Sequence, residues 1–353
     1  MARRPGRLWV LSDAPFSTFT AMHTPLTKLL AIQHPIVQAP LGSATTPELA
    51  AAVSNAGGLG MLALSWAGPA HARAQIRRTK ALTDRPFGVN LVLAWDQRAR
   101  VAVCADEGVA VVSFCWGDAA PFLAPLRAQG IAVCHTVGSA DEAARCADQG
   151  VDFLVAQGWE AGGHVGGRVA TAVLVPAVAD RVAVPVVAAG GMADGRGIAA
   201  ALSLGAAGVW LGTRFLLARE AATSAVYRDA VARATETDTV HAPDLFHLGW
   251  EGAPHRVLRN STVAAWERAG CPPPGRRPGE GQVLAHRADG SPVVRYGDDT
   301  PLAATTGDLE ALALYAGQSA GLVRTEAGAG DIVRDLVRQT EAVLARLTRL
   351  IQP

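Results

Sequence analysis

The chain is short of several things, and each shortage excludes a class. No apolar run reaches the ~18 residues of a membrane-crossing helix. After Arg3, Arg4 and Arg7 only Leu8-Trp9-Val10-Leu11 precedes Ser12-Asp13, too short for a signal-peptide core. Charge of one sign is missing too: 32 Lys and Arg stand against 31 Asp and Glu, a formal net charge of +1. Such a balance offers no field for nucleic acid or an anionic membrane, and short basic clusters such as Arg276-Arg277 read as solvated loops. The five cysteines, Cys104, Cys115, Cys134, Cys146 and Cys271, are odd in number and include no C-x-x-C pair. That argues against a disulfide framework or a zinc site; four lie in or near apolar segments, as small buried hydrophobes do. Nor does any G-x-G-x-x-G open a helix within a Rossmann-like unit. Cytoplasmic residence is the default expectation. Residues 1–22 are expected to be a poorly ordered extension, with Met22 as an alternative start. Oligomeric state is not readable.

What the chain does have is apolar substance in a regular order. Half of its 353 residues are hydrophobic, enough for one large domain or two modest ones. Eight short apolar runs recur: Pro35–Pro40, Gly58–Ala63, Phe87–Leu93, Val109–Phe114, Ile131–Thr136, Val151–Ala156, Val184–Ala189 and Gly208–Leu211. Continuous apolar character fits strands buried on both faces of a parallel sheet. Alanine-rich helical segments separate them, with start signals at Thr45-Thr46-Pro47-Glu48 and at Ser139 before Asp141-Glu142. Eight β-then-α units without a topological break predict an α/β fold, a (β/α)8 TIM barrel over residues 23–234 with a smaller second subdomain. A helix from roughly 214 to 234 completes the eighth unit. The texture then changes. Residues 235–304, with Pro243, Pro254, Cys271-Pro-Pro-Pro-Gly275 and scattered Trp250 and Trp266, read as an inserted subdomain or lid with one mobile loop. Residues 305–353 regain helical periodicity and are expected to pack back on the barrel.

In such a barrel the active site lies at the C-terminal ends of the strands, and a phosphate is often held after strands seven and eight. The seventh run ends Ala188-Ala189-Gly190-Gly191 and the eighth Leu211-Gly212-Thr213-Arg214. Backbone N–H groups freed by glycine at the start of a helix suit an anionic phosphate, with the Thr213 hydroxyl as a further donor; two tight turns are the plain alternative. The sixth run is followed by Gln157-Gly158-Trp159-Glu160-Ala161-Gly162-Gly163-His164-Val165-Gly166-Gly167. Glycines let backbone approach a ligand closely, and histidine titrates nearest neutral pH. This pattern reads either as a proton-handling group beside a cofactor or as a turn with an incidental histidine. Asn90 in the third run needs hydrogen-bond partners, from a ligand ring or from backbone. His135, at the end of the fifth, either faces the ligand or is a satisfied core histidine.

Taken in order, Ala39-Pro40-Leu41-Gly42, Asn55-Ala56-Gly57-Gly58-Leu59-Gly60, Phe87-Gly88-Val89-Asn90, Glu160-Ala161-Gly162-Gly163-His164, Ala188-Ala189-Gly190-Gly191, Gly212-Thr213-Arg214-Phe215 and Ala316-Gly317-Gln318 resemble the nitronate monooxygenase family, once called 2-nitropropane dioxygenases. The resemblance spans about residues 24–350. Bacterial FMN-dependent enoyl-acyl-carrier-protein reductases share most of these motifs. The resemblance implies non-covalent FMN in a TIM barrel. The phosphate would lie at Gly190, Gly191, Gly212 and Thr213, and the ring against Ala39, Pro40, Leu41 and Gly42. Asn90, His135, Gln157 and Gln318 would be polar contacts, with Gly162, Gly163 and Ala189 beside them. His164 matches the family's catalytic histidine. The family usually has Pro-Met-Ala-Gly after the first strand; here Leu41 supplies methionine's bulk without its sulfur.

The implied reaction is oxidation of an alkyl nitronate by FMN and O2 to a carbonyl compound and nitrite. His164 would serve as base or as holder of the nitro oxygens. Glu160, four residues earlier, either perturbs His164 or points to solvent. Trp66, Trp116 and Tyr315 either wall the substrate pocket or belong to the core. The first alternative is an NAD(P)H-dependent FMN reductase of an enoyl thioester or quinone, and another is a non-catalytic flavin-binding module. An inosine-monophosphate-dehydrogenase type ranks low, because the loop from Gln157 to Arg168 has no cysteine.

Overall fold

The computed structural model describes residues 22–350; the expected disorder of residues 1–21 falls outside the described residues. All eight apolar runs are strands. They are β1 (Ile36–Gln38), β2 (Gly60–Ala63), β3 (Phe87–Val92), β4 (Val111–Cys115), β5 (Ala132–Val137), β6 (Phe153–Gln157) and, after a two-residue strand β7 (Gly163–His164), β8 (Val186–Ala189) and β9 (Gly208–Leu211). The eight are parallel, in the order β1-β9-β8-β6-β5-β4-β3-β2. A parallel bridge between Val37 and Leu59 closes the seam: Gln38 N–H donates to Leu59 O at 3.0 Å and Leu59 N–H to Ile36 O at 2.9 Å. The buried Gln38 side chain reinforces the closure by accepting the Met61 N–H at 3.1 Å.

Strands in a closed barrel bury both faces, which is why their sequences are continuously apolar. Phe153 and Val155 point inward to meet Met61, Val111, Cys134, Val187 and Trp210, while Leu154 and Ala156 face the helices. Helix α1 (Pro25–Leu30) floors the interior with Leu26 and Leu30, and Thr24 Oγ1 donates to Ala207 O at 2.7 Å. The outer ring is α2 (Pro47–Asn55), α3 (Pro69–Leu82), α4 (Arg98–Glu107), α5 (Ala120–Ala128), α6 (Ala140–Gln149), α7 (Thr171–Ala179) and α8 (Gly195–Ser203). The two start signals read from the sequence act as caps. Thr46 Oγ1 accepts the Leu49 N–H at 2.9 Å behind Pro47, and Ser139 Oγ accepts the Glu142 N–H at 3.2 Å.

The eighth unit departs from expectation. Residues 213–217 form a short 3-10 helix, the chain then breaks, and α9 covers only Ala225–Arg233. There follow β10 (Thr239–Ala242), β11 (His255–Leu258), α10 (Ser261–Arg268), β12 (Val283–His286), β13 (Pro292–Val294), β14 (Thr306–Gly307) and α11 (Ala329–Leu350). The place of the eighth helix, against α8 and α2, belongs to α11. Its Ile332, Val333, Leu336 and Val337 supply the apolar face, whereas α9 buries only Tyr227 and Val231. The helical stretch anticipated from 305 therefore begins at Ala329. Before it, glycines at 307, 317, 321 and 328 keep the chain in strand, turn and 3-10 forms.

Two small antiparallel sheets complete the fold, β10-β11-β7 over a core that includes Phe246, Val257, Val263 and Tyr296, and β13-β12-β14 over a second one of Leu284, Ala285, Val293, Ala311 and Leu312. The first sheet borrows β7 from the loop after β6, pairing Gly163 with Arg256 and His164 with His255. All five cysteines are free thiols, three of them buried. Among the described residues no helix is long and apolar enough to cross a membrane.

Candidate active site

A cavity of about 520 Å³ lies at the C-terminal ends of the strands. The turn after β1 contributes Ala39, Pro40, Leu41 and Gly42; β3 contributes Asn90, and β6 ends in Gln157. Gly162, Gly163 and His164 follow, then Ala189 at the end of β8 with Gly190 and Gly191 after it, and Gly212 and Thr213 after β9. Trp66, Trp116 and Tyr315 are also in the wall. Most of the residues picked from the sequence thus share one chamber.

Two do not. Alternation along β5 sends Cys134 to the barrel interior and Thr136 to the cavity, so His135 faces the other way. It is buried, with its ring nitrogens 2.9 Å from Thr136 O and 3.0 Å from Gly117 O. It is the core histidine of the second alternative; a neutral imidazole has one N–H, which one of the two carbonyls accepts, and the ring packs the end of β5 against the turn after β4. Gln318 opens a 3-10 helix and uses its N–H on Glu160 O at 3.1 Å; its neighbour Ser319 lines the cavity instead.

The glycine turns offer donors. Gly190 and Gly191 hold successive positive φ values of 109° and 71°, the backbone form that turns N–H groups into one concavity. No described acceptor takes the N–H groups of Gly190, Gly191, Gly212 or Thr213. The start of α8 itself is already satisfied. Asp194 caps Arg196 N–H and Gly197 N–H, and Gln339 accepts the Gly195 N–H at 3.1 Å. Thr213 Oγ1 accepts the Gly317 N–H at 3.0 Å and keeps its own hydrogen to donate. The amide nitrogen of Asn90 donates to Ser113, and that of Gln157 to His164 O at 3.2 Å. In each case the side-chain carbonyl oxygen is left over.

The loop carrying His164 is fastened from several sides. Both Glu160 oxygens accept the Thr171 N–H at 3.1 Å, placing the carboxylate on the start of α7. Glu160 is therefore a helix cap and neither perturbs His164 nor points freely to solvent. Gly162 packs so closely that an added Cβ would sit 2.3 Å from Gly317 N. The buried Arg256 lies 4.4 Å over the Trp159 ring and donates to Trp159 O at 3.0 Å.

His164 then sits in an aromatic nest. Its ring centroid is 4.1 Å from Trp250, 5.3 Å from Tyr315 and 5.5 Å from His255. No described residue hydrogen-bonds either ring nitrogen, and Nε2 is buried. Burial, reinforced by the neighbouring His255, pushes its pKa down to about 3. The imidazole is neutral at pH 7. His255 is held in one tautomer: Nε2 accepts the Phe246 N–H at 3.0 Å, so Nδ1–H donates to Ala253 O at 2.9 Å. Burial pushes its pKa to about 4. Trp250, His255 and Asp298 escaped the sequence reading. Their only local signals were a tryptophan and a histidine in an irregular stretch, and nothing nearby linked them to residue 164. Trp250 also meets Trp95, Trp116 and Trp66 at 4.9, 5.3 and 6.4 Å, making one cavity wall aromatic.

Comparison with known proteins identifies the family. The profile of the nitronate monooxygenase family matches residues 23–100 and 93–339. A nitronate monooxygenase of Pseudomonas aeruginosa is 34% identical, over 89% of this chain and 98% of its own. A (3aS,4S,5R,7aS)-5-hydroxy-7a-methyl-1-oxo-octahydro-1H-indene-4-carboxyl-CoA dehydrogenase of Rhodococcus jostii is 42% identical, over 71% of this chain and 70% of its own. Among solved structures, FabK from Thermotoga maritima superposes with a TM-score of 0.77 at 34% identity, covering 94% of this chain and 100% of its own. A nitroalkane oxidase from Streptomyces ansochromogenes does so with 0.75 at 29% identity, covering 92% and 100%. A closed barrel, one chamber at its C-terminal mouth and a family match over most of the length lead to one conclusion: the chain is an oxidoreductase belonging to the nitronate monooxygenase family.

Proposed function

We propose that the chain oxidises alkyl nitronates, and the nitroalkanes they derive from, with O2 to a carbonyl compound and nitrite, using FMN. The observation that carries this reading is His164: a neutral imidazole with no protein partner, in the wall of a cavity that also holds a set of unclaimed backbone donors. A neutral imidazole accepts a proton from a nitroalkane carbon. The residues present suit a flavin mononucleotide. The N–H groups of Gly190, Gly191, Gly212 and Thr213 would hold its phosphate, while Asn90 and Gln157 offer polar atoms to its ring. Gly162, Gly163 and Ala189 would border the ring, and Ala39 to Gly42 would back it. When bound, the flavin supplies the electron transfer between substrate and oxygen. Trp66, Trp116 and Tyr315 would bound the substrate and, with Trp250, keep water from the imidazole.

The second reading is NAD(P)H-dependent turnover of a thioester. The 42% identity to a CoA-thioester dehydrogenase favours it, as does the likeness to FabK. Purified protein decides between them. The nitronate reading expects an oxidised-flavin absorbance spectrum, nitrite release from a nitronate in air, and no anaerobic bleaching by NADH or NADPH. Rapid bleaching without nitrite release would overturn it in favour of the second. A colourless protein that takes up no FMN would overturn both.

A further inference from the structure

We propose that Asp298 is a second proton-bearing residue of this cavity, a neutral carboxylic acid that hydrogen-bonds the substrate oxygen on which negative charge develops as His164 takes a proton. The inference rests on the reading of His164 as a base and extends it to the other end of the substrate. Asp298 lines the cavity. Its neighbour Asp299 has a counter-ion: Arg287 Nε and Nη2 reach the two Asp299 oxygens at 2.8 and 2.7 Å. Asp298 has none, and no other described residue donates a hydrogen bond to its carboxylate; its own backbone N–H opposes the rise. The carboxylate lies flat on Gly249, where an added Cβ would be 2.3 Å from Oδ1 and 2.7 Å from Oδ2. The backbone is pinned on both sides, with Asp298 N–H donating to Leu248 O at 3.1 Å and the Tyr315 hydroxyl donating to Asp298 O at 3.3 Å. Tyr315 and Trp250, next to Gly249, also flank His164. The two groups therefore share neighbours on one side of the chamber.

Asp298 is half-buried, and a carboxylate partly withdrawn from water without a counter-ion is shifted toward its neutral form. The groups that face it are few. Asp299 pushes the same way as burial and Arg287 weakly opposes, while the Tyr315 hydroxyl is spent on the backbone. On the turn beneath, His247 is taken up by Arg277 at 2.9 Å and Glu251 is exposed. Burial and Asp299 together raise Asp298 to about 6, so it holds its proton below that pH, and a bound oxygen gaining negative charge raises it further and extends the neutral form toward pH 7. The proton ledger is simple. The α-C–H bond breaks and its proton goes to His164. The electron pair becomes the C=N bond, and the displaced N=O pair settles on oxygen. Asp298 donates a hydrogen bond to that oxygen and keeps its proton.

The test uses the full-length protein loaded with FMN, with Asp298→Asn and Asp298→Ala beside wild type. Carbon-13 NMR of aspartate carboxyls, assigned through the asparagine variant, reads the protonation directly. A midpoint near 6 is expected; one near the ordinary ~3.9 overturns the proposal. With a nitroalkane substrate, wild-type kcat/KM should fall as pH rises past the Asp298 midpoint. Asparagine, still a donor, should abolish that fall, and alanine should lose about 10²-fold. Superimposable pH profiles for wild type and Asp298→Asn also overturn it. A wild type without nitroalkane turnover sinks the nitronate reading alone, and the carboxyl titration still decides whether Asp298 holds a proton.

Discussion

Alanine at position 162 puts one methyl group where the structure has no room. The added Cβ would lie 2.3 Å from Gly317 N, 2.5 Å from the Ala316 carbonyl carbon and 2.8 Å from Ala316 Cα. All three are backbone atoms, so no flexible side chain can yield. Restoring ordinary contact near 3.5 Å requires the two strands of chain to part by roughly 1 Å. Two hydrogen bonds span that gap or lie beside it: Gln318 N–H to Glu160 O at 3.1 Å and Gly317 N–H to Thr213 Oγ1 at 3.0 Å. Overpacking costs about 1–3 kcal/mol and each weakened hydrogen bond about 1 kcal/mol. Gly162→Ala should therefore lose about 3–5 kcal/mol, roughly 4–7 °C in Tm for a chain of this size. His164 is two residues away, and a displacement of about 1 Å at a reacting group costs about 10²-fold in kcat/KM. Gly68→Ala, where an added Cβ meets nothing within 4 Å, is the control. Calorimetry reads the stability, and amide exchange at Gly317 and Gln318 reads the contact itself. A Gly162→Ala protein with wild-type Tm and unchanged exchange at both amides would refute the packing described.

Other consequences are open to measurement. His164→Ala should keep its flavin content by absorbance and lose about 10²–10⁴-fold in turnover of a neutral nitroalkane; full turnover would remove the imidazole from the mechanism. His164 and His255 are neutral when folded, with pKa values pushed down to about 3 and about 4, and take up protons near pH ~6.5 when unfolded. Stability from this source is complete above that pH and falls as pH drops below it, by up to about 1.4 kcal/mol per pH unit for each histidine. The raised Asp298 acts in the opposite sense between its unfolded and folded values, so Asp298→Asn should steepen the acid limb of urea midpoints measured from pH 7.5 to 4.5. Arg256→Lys should cost about 2–3 kcal/mol in urea unfolding, because an ammonium cannot cover the Trp159 ring and reach Trp159 O as the planar fork does. An unchanged midpoint would show the pair to be idle.

Much of the barrel was legible because its signals are local. Each apolar run occupies one strand, and Thr46 and Ser139 cap helices through bonds that span three residues. The glycine turns after β8 and β9 could be read for the same reason, since a strand end fixes where its loop emerges. His135 was ambiguous because sequence shows that a strand residue alternates but not which face it takes. The eighth helix was misplaced for a different reason. An amphipathic segment announces that it will pack, and α11 does, but only the closed ring shows that the vacancy between α8 and α2 must be filled from more than a hundred residues downstream. Gln318 was off by one position, within a 3-10 turn that has no strong period of its own.

The chemistry of His164 comes largely from outside the barrel. β6 and its glycine loop deliver the residue, but the groups that hold it neutral, and lower its basicity in doing so, belong to later chain. His255 is paired beside it, Trp250 covers its face, and Tyr315 closes the third side. Without them a loop histidine at a strand end would be solvated and titrate near pH ~6.5. The two residues of β7 are the joint. By hydrogen-bonding to β11 they make the loop part of the subdomain's sheet, so the barrel supplies the floor of the chamber and the subdomain sets the state of the imidazole. Asp298 and its pinning contact from Tyr315 lie in that same later chain. Relatives that keep the barrel motifs and replace residues 247–257 and 298 should therefore bind the same cofactor while handling protons at a different pH.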